Sequence, residues 1–324
     1  EKNLLLPKKL DMKILGIGNA IVDVICKVDE NFITKNNLTK STMKLFFDEN
    51  EFKNLLTNLK IEKTVSGGSV ANSIVGLSQL GDKVGFIGKV SDDEFGSKYE
   101  EGLKKENVDY FYSKKKEELP TGTCLILITP DSERTMCTFL GTAGKINYKD
   151  IDSNAVKQSK ITFLEGYLWD EGEPKKAFDK AIKYSNKIAL TLSDLFCVER
   201  HKNNFLDLVK NKLDIIFANE QEILALIDGK SIDEAISFAK NLNKNIVITR
   251  GAKGSVAINN QDVVEFSAQE NLNVVDLTGA GDLFAAGYLH GVINNLSFKE
   301  CLAHGTDMSS KVIQQIGARL DKSK

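Results

Sequence analysis

The chain has 324 residues, of which 42% are hydrophobic, and its 43 lysines and arginines nearly balance its 45 aspartates and glutamates. This composition supports a sizeable core but shows no basic excess for binding nucleic acid, and no apolar run reaches the roughly 20 residues of a membrane-spanning helix. The five cysteines are widely spaced without a CxxC pair, which argues against a disulfide framework and a structural zinc site. We therefore expect a cytoplasmic protein with neither nucleic-acid nor membrane partners.

The first half of the chain mixes strands with short helices. Asp29 is placed to cap a helix, Gly81 is placed to end one, and Pro130-Asp131-Ser132 joins two apolar segments as a hairpin turn does. In chain order, the predicted elements are strands at 13–18 and 21–28, a helix at 29–37, an apolar segment at 43–47, helices at 49–59 and 69–80, a strand at 83–90, a helix at 93–106 and hairpin strands at 122–130 and 133–140.

The second half alternates between apolar strands and helices, which is the pattern of a parallel sheet covered by helices. The predicted strands lie at 161–165, 187–192, 214–218, 245–249, 255–258 and 263–266, and the predicted helices at 174–185, 201–210, 220–227, 231–242, from about 280, and 298–316. The strand-rich segments 23–47 and 109–141 interrupt this rhythm. We expect these two segments to form a small β-rich lid, and residues 1–22, 48–108 and 142–324 to form one large α/β domain.

The segment DLTGAGD at 276–282 carries the sharpest chemical signal, because it follows a predicted strand and opens a predicted helix. Gly279, Ala280 and Gly281 would turn their backbone N–H groups toward an anion, and the helix dipole would add to the attraction. Asp282 would then lie beside a transferring phosphoryl group, where a carboxylate can deprotonate a hydroxyl. Taken alone, the same residues would also suit a tight turn whose aspartate favours the helix N-terminus.

A second set of polar residues lies near the first strand. Gly67-Gly68 precedes a helix that carries Ser69 and Asn72, and Asn19 and Asp23 lie four residues apart. Bare glycine backbone, an amide and a carboxylate are groups that receive the hydroxyls of a sugar such as ribose. An ordinary helix start is the alternative interpretation of the glycine pair.

A third set follows the later strands. Asn219 and Glu222 come after the strand at 214–218 and could hold the water shell of Mg²⁺, or could simply form an acidic first turn. Thr249, Gly251 and Gly254 follow the next strand and could cover a nucleotide. Arg134, on the predicted hairpin, could bind a transferring phosphate or could be an exposed strand residue.

Two better-known nucleotide motifs are missing. The sequence contains no GxxxxGK[ST] segment, and the pattern that begins Gly16-x-Gly18 has Ile21 where a dinucleotide-binding turn needs its third glycine. A hydride-transfer enzyme is therefore disfavoured.

With these motifs in this order, the chain resembles the ribokinase (PfkB) carbohydrate kinase family over nearly its whole length. The DLTGAGD segment resembles that family's C-terminal signature, and GGSVANS at 67–73 resembles its N-terminal one. Within the family, the PTGTC segment at 120–124 and the FANEQE segment at 217–222 look most like the adenosine kinase branch.

The resemblance implies a ribokinase-like three-layer α/β/α domain with a small β-rich lid, and it implies a role for each candidate residue. The implied substrate-binding residues are Asn19, Asp23, Gly67, Gly68, Asn72 and Cys124, the last as part of a purine pocket with Ile21, Tyr167 and Leu168. The implied catalytic residues are Gly279, Ala280 and Gly281 as an anion hole, Asp282 as the base and Arg134 as a phosphate ligand. The implied ATP-side residues are Asn219, Thr249, Gly251 and Gly254, with Glu222 supporting Mg²⁺ through water and Asp276 in a monovalent-cation (K⁺) loop.

We therefore expect a kinase that uses ATP and Mg²⁺ to phosphorylate the 5′-hydroxyl of a nucleoside, with adenosine as the leading substrate. A kinase for a free sugar, such as ribose or fructose, or for another nucleoside is the alternative. A ligand-binding protein without turnover would have no need of a base beside an anion hole. The helix predicted at 29–37 falls within the lid segment and, as in the adenosine kinase branch, would block pairing of two lids, so we expect a monomer.

Overall fold

The computed structural model describes residues 9–322, which form two β-sheets flanked by helices. The strands are β1 (Ile14–Ile17), β2 (Ile21–Lys27), β3 (Met43–Leu45), β4 (Lys63–Gly67), β5 (Val84–Ile87), β6 (Asp109–Tyr110), β7 (Gly122–Ile128), β8 (Arg134–Phe139), β9 (Ile161–Glu165), β10 (Ile188–Thr191), β11 (Ile215–Asn219), β12 (Asn245–Thr249), β13 (Ser255–Asn259) and β14 (Asp262–Phe266). The helices are α1 (Glu30–Lys35), α2 (Glu49–Thr57), α3 (Ser69–Gln79), α4 (Glu94–Lys105), α5 (Ser153–Gln158), α6 (Glu173–Tyr184), α7 (Leu195–Asn211), α8 (Glu220–Ile227), α9 (Ile232–Lys240), α10 (Ala280–Ile293) and α11 (Phe298–Val312). None of these helices is both long and apolar enough to cross a membrane.

The large sheet has nine strands in the order β14-β13-β12-β11-β10-β9-β1-β5-β6. Its strands run parallel from β12 to β6, and only the hairpin strands β13 and β14 are antiparallel. Successive residues of β1 point to opposite faces, so Ile14 packs in a core with α3, α10 and α11, and Leu15 packs in another with helices α5 to α9. Because both faces are buried, the central strands are continuous apolar runs. The result is the three-layer α/β/α architecture expected from the sequence.

The small sheet has five strands in the order β3-β8-β7-β2-β4. One face carries Val24 and Leu125, which pack in the same core as Phe52 of α2 and Ile33 of α1. The other face carries Asp23 and Cys124, which lie side by side on the parallel pair β2 and β7. One face of this sheet is thus covered by helices, and the other carries the candidate site residues.

The lid boundaries predicted from the sequence are wrong at three places. Residues 21 and 22, assigned to the large domain, belong to β2 of the small sheet. Residues 63–67, assigned to the large domain, form β4 and pair with β2 in the small sheet. Residues 109 and 110, assigned to the lid, pair with β5 in the large sheet. Strands β4 and β6 both lie at a sheet edge, where short and partly exposed segments carry little apolar periodicity.

Two helix boundaries also differ from the prediction. Helix α7 begins at Leu195 because Asp194 caps it by accepting a hydrogen bond from the backbone N–H of Cys197, and it bends at His201, where the prediction had it start. Helix α11 ends at Val312 instead of 316. The released segment 313–322 turns back toward the loop before α10, where the N–H of Gly317 donates to Asp276.

Candidate active site

Asp282 lies in the first turn of α10 and faces the start of α3. One carboxylate oxygen accepts a hydrogen bond from the Ser69 hydroxyl at 2.6 Å, and the other accepts from Asn72 Nδ2 at 3.1 Å. The Ser73 hydroxyl donates to the backbone carbonyl of Asp282 at 2.7 Å, which ties the two helices together. The two glycine-rich helix starts singled out from the sequence, more than 200 residues apart, therefore meet at this carboxylate.

Gly279 makes the turn into α10 possible. Its φ angle is +80°, and a Cβ there would lie 2.6 Å from the Cα of Ala318. Only glycine meets both conditions without strain. This turn leads directly into the helix N-terminus, where the dipole favours an anion, and within the turn the N–H of Ala280 donates to the carbonyl of Leu277 at 3.2 Å.

Asn19, Asp23, Gly67, Gly68 and Asn72 come together as the sequence predicts. Gly68 has a φ of +105°, and a Cβ on it would collide with the carbonyl of Asn19. A Cβ on Gly67 would lie 2.5 Å from Asp23 Oδ2, so the carboxylate of Asp23 packs directly over this glycine. The Oδ1 atom of Asn19 is buried and has no hydrogen-bond partner among the described residues.

Burial sets the protonation of the two aspartates. Loss of solvent raises the pKa of Asp23 to about 7, although the nearby charge of Arg319 opposes the rise. Burial also raises the pKa of Asp282, while hydrogen bonds from Ser69 and Asn72 and the charge of Arg319 oppose it. Both carboxyl groups thus have proton affinities closer to neutral pH than an exposed aspartate has.

Glu165, at the end of β9, is a site residue that the sequence reasoning missed. Its side chain is buried, and it accepts hydrogen bonds from the backbone N–H of Asn19 at 3.3 Å and of Val70 at 3.0 Å. Burial raises its pKa to about 7. The available signal was an acid at the carboxyl end of a predicted strand followed by glycine, a position where α/β proteins bind ligands.

Arg319 is a second residue that the sequence reasoning missed. It lies in segment 313–322, and its Nε donates to Asn72 Oδ1 at 3.0 Å. No motif marked it, because the last helix was expected to continue to 316 and the remaining residues looked like a tail. Its position depends on the chain returning to the start of α3.

Arg134 contacts the loop before α10. Its guanidinium lies 2.7 Å from Asp276 Oδ2, which also accepts from the N–H of Gly317 at 2.8 Å. Burial alone would raise the pKa of Asp276, but hydrogen bonds from Gly317 and Thr278 and the charge of Arg134 hold it below its usual value. The structure thus places the predicted phosphate ligand beside the predicted anion loop and not at an exposed strand position.

Two cavities border the loop 276–282, one through Thr278 and the other through Leu277, Ala280 and Gly281. The large cleft, of about 840 Å³, lies between the small sheet, α4 and segment 314–322. Its lining includes Asp23, Asn72, Arg134, Thr278 and Arg319. The small cavity, of about 450 Å³, is lined by the predicted nucleotide residues Thr249, Gly251 and Gly254 together with Ala280 and Gly281. The loop therefore borders one space that carries hydroxyl-binding groups and another that suits a nucleotide.

Comparison with known proteins agrees with this geometry. A model of the pfkB family carbohydrate kinases matches residues 15–324. The chain belongs to the PfkB family. It is 36% identical to the adenosine kinase of Sinorhizobium meliloti, whose crystal structure superposes with a TM-score of 0.85 over 95% of this chain and 96% of that one.

Curated relatives of this PfkB kinase divide between two substrate classes. It is 26% identical to adenosine kinase 2 of Arabidopsis thaliana over 94% of each chain. It is 28% identical to 5-dehydro-2-deoxygluconokinase of Clostridium perfringens, over 76% of this chain and 78% of that protein. The predicted family, its resemblance to the adenosine kinase branch and the ribokinase-like fold are confirmed. The chain is a phosphotransferase with an alcohol acceptor, and its coarse class is carbohydrate or nucleoside kinase.

In this PfkB kinase, Asn219 and Glu222 form a capping box at the start of α8. Asn219 Oδ1 accepts from the N–H of Glu222 at 2.8 Å, and Glu222 Oε2 accepts from the N–H of Asn219 at 2.9 Å. Burial raises the pKa of Glu222 to about 7. No cluster of three or more metal-ligating side chains occurs within residues 9–322. A single carboxylate with one oxygen engaged fits a contact to water on Mg²⁺ better than direct coordination.

Of the four residues predicted to line a purine pocket, Ile21 and Cys124 lie together in the structure, whereas Leu168 lies in a different core. Cys124 is buried beside Ile21 and Ala143, and its thiol accepts from the Thr138 hydroxyl at 3.3 Å. Burial raises the pKa of Cys124 to about 12, so the group is a thiol. Tyr167 is 41% exposed, whereas Leu168 is buried in the core of the large domain and cannot line a pocket.

Proposed function

We propose that this PfkB kinase transfers the γ-phosphoryl group of ATP to the 5′-hydroxyl of adenosine, giving AMP and ADP. The observation that carries the proposal is the carboxylate of Asp282, held by Ser69 and Asn72 at the loop that borders both cavities. The acceptor would occupy the large cleft and ATP the small cavity. The hydroxyl and the γ-phosphate would then meet at the start of α10.

In the proposed reaction, Asp282 accepts the proton of the attacking hydroxyl. The bond between that oxygen and the γ-phosphorus forms while the bond to the β–γ bridging oxygen breaks, and ADP leaves. The N–H groups of Gly279 and Gly281 at the start of α10 stabilise the charge on the transferring phosphoryl group, and Arg134 supplies a positive charge. Mg²⁺ neutralises phosphate charge when it is bound with ATP, and Asn219 and Glu222 are the residues we assign to its water shell.

A monovalent cation near Asp276 remains a prediction. The carboxylate already accepts from Arg134, Gly317 and Thr278. A K⁺ ion bound there would have to share this carboxylate with the guanidinium.

Adenosine is favoured over a free sugar by the surroundings of Asp23. A carboxylate can accept from both the 2′ and 3′ hydroxyls of a ribose, and the buried Oδ1 of Asn19 is a further acceptor. Beside Asp23 the same face of the small sheet carries an apolar group formed by Ile21, Cys124 and Met136. Apolar area buried by a purine stabilises binding by about 25 cal/mol per Å². A free sugar offers no such area.

A kinase for a free sugar or sugar acid is the second candidate, because the curated gluconokinase relative matches the chain about as well as the plant adenosine kinase does. The chemistry at Asp282 needs only a primary hydroxyl and does not choose between them.

The deciding experiment is kcat/KM, measured by ADP release, for adenosine, inosine, ribose, fructose and 5-dehydro-2-deoxygluconate. Adenosine should give the highest value, and 2′-deoxyadenosine should be weaker because Asp23 loses one donor. Asp23→Ala should lower kcat/KM for adenosine more than it lowers ATP hydrolysis without an acceptor. If a sugar or sugar acid is the best acceptor, the nucleoside assignment is wrong and the second candidate replaces it.

A further inference from the structure

Arg319 enters the large cleft from the C-terminal segment. Its side chain lies near groups from three elements: Tyr99 on α4 with Glu106 at that helix's C-terminal end, Asp23 on β2, and Asp282 on α10. Its Nε is hydrogen-bonded to Asn72 Oδ1 at 3.0 Å. Its Nη2 is buried and has no hydrogen-bond partner among residues 9–322.

The bond to Asn72 fixes the direction of an amide. A guanidinium has only donors and an ionised carboxylate has only acceptors. With Arg319 on one side and Asp282 on the other, Asn72 satisfies both only when its oxygen faces Arg319 and its nitrogen faces Asp282. Arg319 thus holds Asn72 in the rotamer from which it donates to the base.

The charge of Arg319 acts on two aspartates, Asp23 and Asp282. It lowers the pKa of both groups, whereas burial raises the pKa of both. None of the described carboxylates forms an ion pair with it, so the guanidinium is not neutralised by a single partner. Arg319 is a partly buried cation that lines the large cleft, has an unused donor and lies beside two groups assigned to substrate binding and catalysis, so it is placed to bind a ligand.

We propose that Arg319 is a positioning residue of the active site: it orients Asn72 toward Asp282, and its Nη2 donates to a hydroxyl of the acceptor. Segment 313–322 is then part of the acceptor site and not a tail. This proposal rests on the proposed roles of Asp282 and of the large cleft, but it does not depend on which acceptor is used.

The test is a double-mutant cycle with the acceptor that the wild-type enzyme phosphorylates best. Arg319→Gln should lower kcat by roughly 10- to 100-fold and raise KM for the acceptor several-fold, with KM for ATP unchanged. In an Asn72→Ala background, Arg319→Gln should no longer lower kcat, because Asn72 carries that effect, but it should still raise KM for the acceptor. Additive losses of kcat would overturn the positioning role.

Lys311→Gln is the control. Lys311 is a cation in the last turn of α11, just before segment 313–322, but it lies at the surface in an ion pair with Asp307 and lines neither cavity. It should leave kcat and both KM values unchanged. Because the best acceptor is chosen by experiment, failure of adenosine as a substrate would refute the proposed function and leave this test intact.

The pH profile gives a readout that a purely structural role would not move. The titratable and charged groups around the pair of Asp282 and Arg319 are Asp23, Tyr99, Glu106, Glu165 and Tyr167. Losing the cation raises the pKa of Asp282, so the acid limb of kcat/KM should move to higher pH by about half to one unit in Arg319→Gln. Arg319→Lys keeps the positive charge, so the acid limb of its pH profile should lie at the wild-type pH. Its KM for the acceptor should stay raised. If activity per folded molecule is unchanged in both variants, Arg319 is structural and the proposal is wrong.

Discussion

The two oxygens of Asp282 are both held by neutral donors, the hydroxyl of Ser69 and the amide of Asn72. This arrangement orients the carboxylate without neutralising it. Burial meanwhile raises its pKa from the ordinary value, which makes it a stronger base than an exposed aspartate. Orientation and basicity therefore come from different neighbours, and substitutions can separate them.

Asp282→Asn tests the role of the base directly. Asparagine can keep both contacts, with its oxygen accepting from Asn72 and its NH2 donating to the Ser69 hydroxyl, but it cannot take a proton, so kcat should fall by roughly 10²- to 10⁴-fold. The melting temperature should be equal or higher, because a carboxylate with a raised pKa is destabilising when it is ionised. Activity and thermal unfolding are measured on the same samples.

Asp307→Asn is the control for Asp282→Asn. Asp307 lies on α11 in a surface ion pair with Lys311 and should leave kcat unchanged. Turnover of Asp282→Asn within a few-fold of wild type would remove Asp282 as the base.

The residues that sequence reasoning found and those that it missed differ in kind. Asp282 and Asn72 belong to glycine-rich turns, whose local chemistry is visible in the sequence. The side chains of Glu165 and Arg319 form their hydrogen bonds with distant segments of the chain. Glu165 bonds to Asn19, 146 residues away, and Arg319 bonds to Asn72, 247 residues away. Such residues have no local pattern to predict them.

At the scale of elements, strand β8 links the small sheet to the anion loop through one ion pair. The side chain of Arg134 is 19% exposed and that of Asp276 is 10% exposed, so solvent screens this pair less than a surface pair. If the small sheet is a lid, as the sequence predicts, this contact is the one that closure forms over the transferring phosphate. The same arginine would then both close the lid and stabilise the reaction.

Arg134→Ala separates a catalytic role from a structural one. Loss of the cation should slow kcat by roughly 10- to 100-fold, as removal of one charge-stabilising donor does in other enzymes. The free energy of unfolding should fall by only about 1 to 2 kcal/mol, because Gly317 and Thr278 still donate to Asp276. Steady-state kinetics and urea unfolding give the two numbers.

Lys44→Ala provides the comparison for Arg134→Ala. Lys44 is a cation of the same sheet, on β3, but it pairs with Glu51 at the surface. Its loss should change neither rate nor stability measurably. A large loss of stability in Arg134→Ala with unchanged kcat would mark the ion pair as structural.

Elements with strong periodicity could be predicted from the sequence, and elements defined by their partners could not. Helix α8 and strands β9 and β12 match the predicted boundaries because buried apolar runs and a cap mark their ends. Strand β4, with the sequence KTVSG, is a partly exposed edge strand that exists through its pairing with β2. The lid boundary was wrong there for the same reason.

At the scale of the whole molecule, three carboxyl groups share an unusual state. The pKa of Asp23, Glu165 and Glu222 is raised to about 7, in each case chiefly by burial. They lie on both sides of the reaction, two near the acceptor cleft and one at the predicted Mg²⁺ side. The folded protein therefore contains several buried carboxyl groups that keep their protons close to neutral pH. Binding of the substrate and of a metal ion would offset the free-energy cost of ionising them.

These groups predict an unusual dependence of stability on pH. In the unfolded chain they are ionised above about pH 5, whereas the folded protein keeps their protons up to about pH 7, so the folded state binds more protons in that window. Their stabilisation is complete below the unfolded pKa and is lost as pH rises through the folded value. Each group should remove up to about 1.4 kcal/mol of unfolding free energy between pH 6 and pH 8.

His201 contributes in the opposite direction. Burial lowers its pKa, so its own contribution to stability is lost as the pH falls below about 6.5. A single histidine cannot outweigh three carboxyl groups between pH 6 and pH 8. The net unfolding free energy of the ligand-free protein should therefore decrease across this range.

Urea unfolding at pH 6 and pH 8 measures the prediction, with Glu222→Gln as the variant that isolates one group. The unfolding free energy of Glu222→Gln should change between pH 6 and pH 8 by about a third less than that of the wild type, because one of three similar contributions is gone. This comparison does not depend on the absolute stability of the variant. Glu234→Gln is its control, because Glu234 lies in the first turn of an exposed helix start capped by Ser231. A wild-type protein that is equally or more stable at pH 8 would show that these carboxyl groups are ionised in the folded state, and that water or bound cations reach them despite their burial.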